Sequence, residues 1–115
     1  MQDFRKLRVW QSSVDLAEAI YRATESLPAS ERFGLTAQRR SAVISISSNI
    51  AEGAGRRGGA DTARFLQIAI GSASELEGQV LVGGRLGLIS QAEMIAPQVE
   101  RVRRQLIRLV ERVGE

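Results

Sequence analysis

The chain has 115 residues, with 16 basic and 13 acidic side chains and neither Cys nor His. That length suits one domain, spanning 1–115, and leaves no room for separate cofactor and substrate domains. The two zeros exclude disulfides, thiolate metal sites, cysteine nucleophiles, Ser-His triads and histidine general bases.

With 43% apolar and 25% charged residues the composition is that of a globular protein, and 4% aromatics with two prolines lean toward helix. No apolar run approaches the length of a membrane span, and the polar start leads to no signal-like segment, so the expected location is the cytoplasm. The formal charge is only +3, and 15 of the 16 bases are Arg, with Lys6 the exception. Arg suits flat, bidentate phosphate contacts better than Lys does. By segment the excess falls on residues 29–60, which carry five bases and two acids.

Hydrophobic spacing predicts four helices. The first covers about 6–27. Trp10, Val14, Ala17 and Tyr21 form one row and Leu16, Ile20, Ala23 and Leu27 its neighbour, with Pro28 as the stop. The second covers about 30–52, with Ser30 as a capping residue, Phe33 as an anchor and Leu35, Ala42, Val43, Ile46 and Ile50 as its stripe. Residues 44–47 alternate like a strand, but the helical spacing persists for longer and no partner strand is visible. A glycine-rich turn follows, from Gly53 to Gly59. The third helix is expected from a cap at Asp61 or Thr62 to about 86, with Leu66, Ala69, Ala73, Leu76 and Val80 inward and Gly78, Gly83 and Gly84 weakening its later turns. Gly87 and Ser90 mark the next turn. The fourth covers about 91–113, with an unbroken seam of Ile95, Val99, Val102, Leu106, Leu109 and Val113, and Pro97 tolerated near its start. Four such helices joined by short loops predict an all-α, antiparallel up-down four-helix bundle.

Residues 53–58 spell G-x-G-x-x-G, with Glu75 and Glu77 about twenty positions on. A dinucleotide site needs a strand before that motif and a parallel sheet around it, and this chain offers neither. The competing readings are a plain interhelix turn and an Arg-bearing turn whose Arg56 and Arg57 meet phosphates. A di-iron bundle needs Glu-x-x-His, which a chain without His lacks. Metal, cofactor and catalytic residues are therefore all expected to be absent. The other basic clusters are Arg39-Arg40 and the group of Arg101, Arg103, Arg104, Arg108 and Arg112; for the last helix a solvated face balanced by Glu100 and Glu111 is the simpler account. Trp10 and Tyr21 lie on the apolar stripe, which assigns them to core or interface before base stacking. Asn49 and Glu52 are unusual at an apolar helix end and suggest a hydrogen-bond network, with Arg40 or Arg56 as partner for Glu52.

Several blocks, taken in order, carry a resemblance. They include Leu7-Arg8-Val9-Trp10-Gln11, Phe33-Gly34-Leu35-Thr36, Ser48-Asn49-Ile50-Ala51-Glu52-Gly53, Gly55-Arg56, Arg64-Phe65-Leu66, Gly71-Ser72 with Glu75-Leu76, and Leu86-Gly87. Over about residues 4–90 the chain resembles the bacterial four-helix-bundle proteins encoded in intervening sequences of large-subunit rRNA genes. The accessory variability proteins of diversity-generating retroelements are similar. The resemblance implies a ring-like homo-oligomer, a pentamer, with a basic surface and no catalytic residues. For the retroelement members it implies binding to nucleic acid and to a reverse transcriptase. A pentamer multiplies the +3 of one chain to +15. The family often has Arg where Ser41 stands, an apolar residue at Arg39 and Pro at Ser47. The candidate nucleic-acid-binding residues are Arg39, Arg40, Arg56, Arg57 and Arg64, and the candidate network is Asn49, Glu52, Ser72 and Glu75. The expected function is that of a non-enzymatic RNA-binding accessory protein. The alternative is a structural homo-oligomer that binds a protein and no nucleic acid.

Overall fold

The computed structural model describes residues 3–25 and 34–113. A 3-10 turn, Phe4–Lys6, leads into α1 (Arg8–Ala23), α2 (Leu35–Ala54), α3 (Gly59–Arg85) and α4 (Ala92–Val113). Contacts run α1–α2, α2–α3, α3–α4 and α4–α1 with no diagonal pair, so among the described residues the helices form a closed four-helix bundle. Its extents are 44 × 22 × 20 Å. Contacts at two levels fix the directions: towards one end Arg40 meets Thr24 (3.0 Å), Arg39 reaches Gln79 (3.3 Å) and Gly84 lies against Ala92, and further along three side-chain pairs close. Ser13 Oγ donates to Ser47 Oγ (3.1 Å), Ser45 and Ser72 meet through their hydroxyls (2.9 Å), and Arg103 pairs with Glu77 (3.4 Å). The start of α1, the α2–α3 turn and the end of α4 therefore share one end of the bundle.

The core follows the expected seams. Leu66, Ala69, Ala73, Leu76 and Val80 of α3 are all buried, as are Ile95, Val99, Val102, Leu106 and Leu109 of α4. On α1 the inward row is Leu16, Ile20 and Ala23. The Trp10 row flanks it, and Tyr21 is 41% exposed. Trp10 packs on the core's edge and meets the Phe4 ring edge-on at 5.1 Å. The strand-like stretch of α2 is helical: Ile46 is fully buried and Ile44 is 45% exposed, which strand alternation would not separate. The expected stop at Pro28, the cap at Ser30, the anchor at Phe33 and the side chain of Leu35 lie outside the described residues.

Helix boundaries differ from the sequence expectation at four places: α1 stops at Ala23 and not near 27, α2 opens at Leu35 and not near 30, and two others shift through glycine. The second helix does not stop before Gly53 but runs to Ala54. A side chain at Gly53 would come within 3.2 Å of Phe65 Cβ and of the Thr62 carbonyl, so its glycine serves a close helix crossing rather than a turn. The third helix begins at Gly59, before the expected caps, and there a Cβ would lie 2.9 Å from the Val113 carbonyl. Gly83 and Gly84 likewise stay helical and give room to neighbours. At Gly84 a Cβ would sit 2.5 Å from Ala92 Cβ. Gly84→Ala is therefore expected to destabilise the bundle by about 1–3 kcal/mol through overpacking, with Ala92→Gly restoring part of the loss. Urea denaturation of the single and double variants reads this, and additive costs would show that the two positions do not press on each other.

α3 ends in a Schellman motif. Gly87 takes φ 73°, Leu88 N–H donates to the Gly83 carbonyl (2.8 Å) and Gly87 N–H to the Gly84 carbonyl (3.3 Å). Ser90 then donates through its N–H and its Oγ to the Ala23 carbonyl, both at 3.5 Å, and ties this turn to the end of α1.

Candidate nucleic-acid interface

The five candidate arginines do not form one surface. Arg39 is fully buried, which corrects its placement in a nucleic-acid contact set. Its Nε donates to the Gln79 carbonyl (3.3 Å) and its Nη1 to the Leu88 carbonyl (3.4 Å), so the guanidinium ties α2 to the end of α3. The slot exists because Gly83 has no side chain. A Cβ there would fall on the guanidinium, 2.7 Å from its Cζ. Burying a guanidinium demands such hydrogen bonds. Arg40 sits at the same end. It stacks over the Tyr21 ring at 4.4 Å, donates from Nε to Thr24 Oγ1 (3.0 Å) and from Nη2 to the Tyr21 carbonyl (3.3 Å), and so is occupied in holding α1 to α2. The fourteen helical residues from Ser41 to Ala54, about 21 Å at 1.5 Å each, separate it from the turn that carries Arg56.

Arg56, Arg57 and Arg64 cluster at the α2–α3 turn. Arg56 and Arg64 clamp the Phe65 ring from 4.6 and 4.5 Å. Arg56 also pairs with Glu52 (2.9 Å) and reaches Asp61 (3.8 Å), and Arg64 pairs with Asp61 (3.2 Å). Arg57 is exposed and makes no ion pair among the described residues. Phe65 was passed over as a site residue. Its position beside Arg64 and just after an Arg-bearing turn was the available signal, because Arg stacks readily on aromatic faces.

The same end gathers further cations. Arg5 and Lys6 lie in the 3-10 turn, Arg8 opens α1, and Arg108 and Arg112 close α4. With the turn's three arginines that makes eight bases at this end among the described residues. Four described acids accompany them: Asp3, Glu52, Asp61 and Glu111. Asp3 accepts from the backbone N–H of Arg5 (3.0 Å) and from its Nε (3.1 Å), contacts that hold its carboxyl below the usual carboxylate range. Arg103 and Arg104, at mid-bundle, are balanced by Glu77 and Glu100. The expectation of a neutralised fourth helix thus fits its middle. Arg108 and Arg112 make no ion pair among the described residues. Among the described residues the excess charge is accordingly concentrated at one end of the bundle, and the bases of α2 and its following turn are divided between the two ends.

The expected polar network is partly formed. Asn49 Nδ2 donates to the Ser45 carbonyl (2.8 Å) and Oγ (3.1 Å), and Ser45 meets Ser72. Ser45 was missing from the candidates. Glu75 instead accepts from Gln79 of its own helix (3.2 Å), and Glu52 belongs to the basic end through Arg56. Among the described residues no group of three or more Asp or Glu is placed to hold a metal, and no helix is long and apolar enough to cross a membrane.

Helix order, closed contacts and a cationic end define the chain as an antiparallel four-helix bundle with one polar-charged pole. It belongs to the 23S rRNA-intervening sequence protein family, whose model matches residues 5–108. The fold is shared with the 1.70 Å crystal structure of a protein of unknown function from the S23 ribosomal protein family of Bacteroides thetaiotaomicron. That likeness has a TM-score of 0.81 and 24% identity, over 90% of this chain and 95% of that one. Among curated proteins none matches. Family and fold agree with a non-catalytic protein.

Proposed function

We propose that this chain is a non-enzymatic, nucleic-acid-binding accessory protein that engages RNA with the basic end of its bundle. The observation that carries the reading is the gathering, among the described residues, of eight bases against four acids at one pole of a protein whose formal charge is only +3. Charge concentrated this way attracts a phosphate backbone far more strongly than the net figure suggests. Arg57 supplies the most accessible contact, and the Arg56–Phe65–Arg64 stack presents two guanidinium planes held in place. Membership in a family named for rRNA intervening sequences makes RNA the favoured polymer. In this reading the chain acts as one cytoplasmic domain within a ring-like homopentamer, which multiplies the charged poles. The retroelement branch of the resemblance adds a reverse transcriptase as a partner.

A second reading, a structural oligomer that binds protein alone, draws on the opposite half of the molecule. Leu81, Val82, Leu86 and Met94 are each more than half exposed there, a pattern that marks protein contacts. The test is the double variant Arg56→Glu/Arg57→Glu. Lost RNA binding with an unchanged oligomer by light scattering supports the first reading. Unchanged binding leaves the second.

A further inference from the structure

The basic end contains a built cavity that none of the backbone contacts above uses. Where α1 begins beside the end of α4 there is a pocket of about 560 Å³, within the range of about 300–1,000 Å³ usual for small-molecule sites. Its floor is apolar: Leu7, Val9 and Leu109 line it, each less than 10% exposed. Its rim carries Arg8, Arg108 and Arg112. Gln105, Arg108 and Arg112 lie three, then four, residues apart and so share one face of α4. Gln105 completes that face, with its Oε1 buried and without a hydrogen-bond partner among the described residues. Glu111 is the only acid of the lining among the described residues. The first turn of α1 adds uncapped backbone N–H groups, since Leu7 offers no side-chain cap and no acid stands in that turn.

We infer that this pocket binds a nucleoside phosphate. Three guanidinium groups with a surplus over the single carboxylate call for a phosphoryl group. A bare phosphate would leave the apolar floor in water, whereas the flat face of a base covers it. A fatty acid would satisfy the floor and one charge but leave the surplus guanidinium groups unpaired. The nucleoside phosphate has two possible sources: a free nucleotide, or the 5′-phosphorylated terminus of a strand. The second source rests on the proposed RNA binding, and the first does not.

The full chain is titrated with adenosine 5′-monophosphate and with inorganic phosphate by calorimetry. It is also titrated by anisotropy with one RNA oligonucleotide carrying either a 5′-phosphate or a 5′-hydroxyl. Expected is binding of the monophosphate at least about tenfold tighter than inorganic phosphate, weakened about tenfold or more by Arg108→Ala/Arg112→Ala. These two side chains point to solvent, so the fold survives their loss. A 5′-phosphate preference that disappears in the arginine double variant but persists in Arg57→Glu identifies the strand terminus as the source. Monophosphate binding without that preference identifies the free nucleotide. Loss of strand binding with monophosphate binding intact removes the RNA proposal and keeps the pocket. No monophosphate binding together with no 5′-phosphate preference overturns the pocket, as does binding that the arginine double variant leaves intact. Equal affinity for inorganic phosphate overturns the nucleoside part.

Discussion

Gly83→Ala is expected to destabilise the bundle by about 2–3 kcal/mol. Taken alone, the helix would gain, since Gly to Ala in a helix interior is favourable by about 1 kcal/mol. The loss comes from Arg39. Its guanidinium occupies the volume that the new methyl group would enter. To make room it must give up the Gln79 and Leu88 carbonyls while remaining fully enclosed by the bundle. A buried cation that loses its acceptors is among the few mechanisms that produce large single-site effects. The double-mutant cycle with Arg39→Met makes the cause visible. In the Met background the slot holds a flexible, uncharged side chain, and Gly83→Ala should become neutral or stabilising by up to about 1 kcal/mol. Urea unfolding of the four proteins reads the sign. An equal loss in both backgrounds would show that Arg39 is not what fills the space.

The second large effect concerns charge at the pole. Reversing Arg56 and Arg57 is expected to lower RNA affinity by about ten- to a hundredfold at low salt. It should also flatten the dependence of log K on log salt by about 1.4–1.8, the contribution of two phosphate contacts. The control is a reversal of equal size at the other end. Arg22 is exposed in an ordinary helix pair with Glu18, and Arg85 is exposed at the end of α3. Arg22→Glu/Arg85→Glu changes the net charge identically and is expected to alter affinity by no more than about twofold, because charges beyond a Debye length of about 10 Å are screened. Equal losses in the two variants would mean that net charge, and not the pole, governs binding.

Much of this fold is legible from hydrophobic spacing. The seams on α3 and α4 coincide with the buried residues because a 3.6-residue period leaves few alternatives once five positions agree. Glycine is where the reading fails. At Gly53, Gly59, Gly83 and Gly84 the sequence suggests weakness or a turn, yet each sits in a helix where a Cβ would be tight, as at Gly53, or would force a neighbour to shift. Each neighbour belongs to another helix, so a local rule cannot supply it. Arg39 is the same case from the other side. An arginine within an Arg-Arg pair looks like surface charge, and only the missing side chain at Gly83, 44 positions on, makes its burial possible. The resemblance held a hint, since an apolar residue is common at that position. The candidate interface was half visible. Arg56, Arg57 and Arg64 are contiguous enough in sequence to be found together. Arg8, Arg108 and Arg112 join them only when an up-down bundle brings the start of its first helix and the end of its last to one pole.

The most direct test of that pole's role is anisotropy of the unmodified protein with a structured RNA, a single strand and a DNA duplex across a salt series. The account predicts binding that weakens steeply as salt rises, with RNA preferred over the duplex. No binding of any of the three at about 50 mM salt, where exposed charges act most strongly, would contradict it.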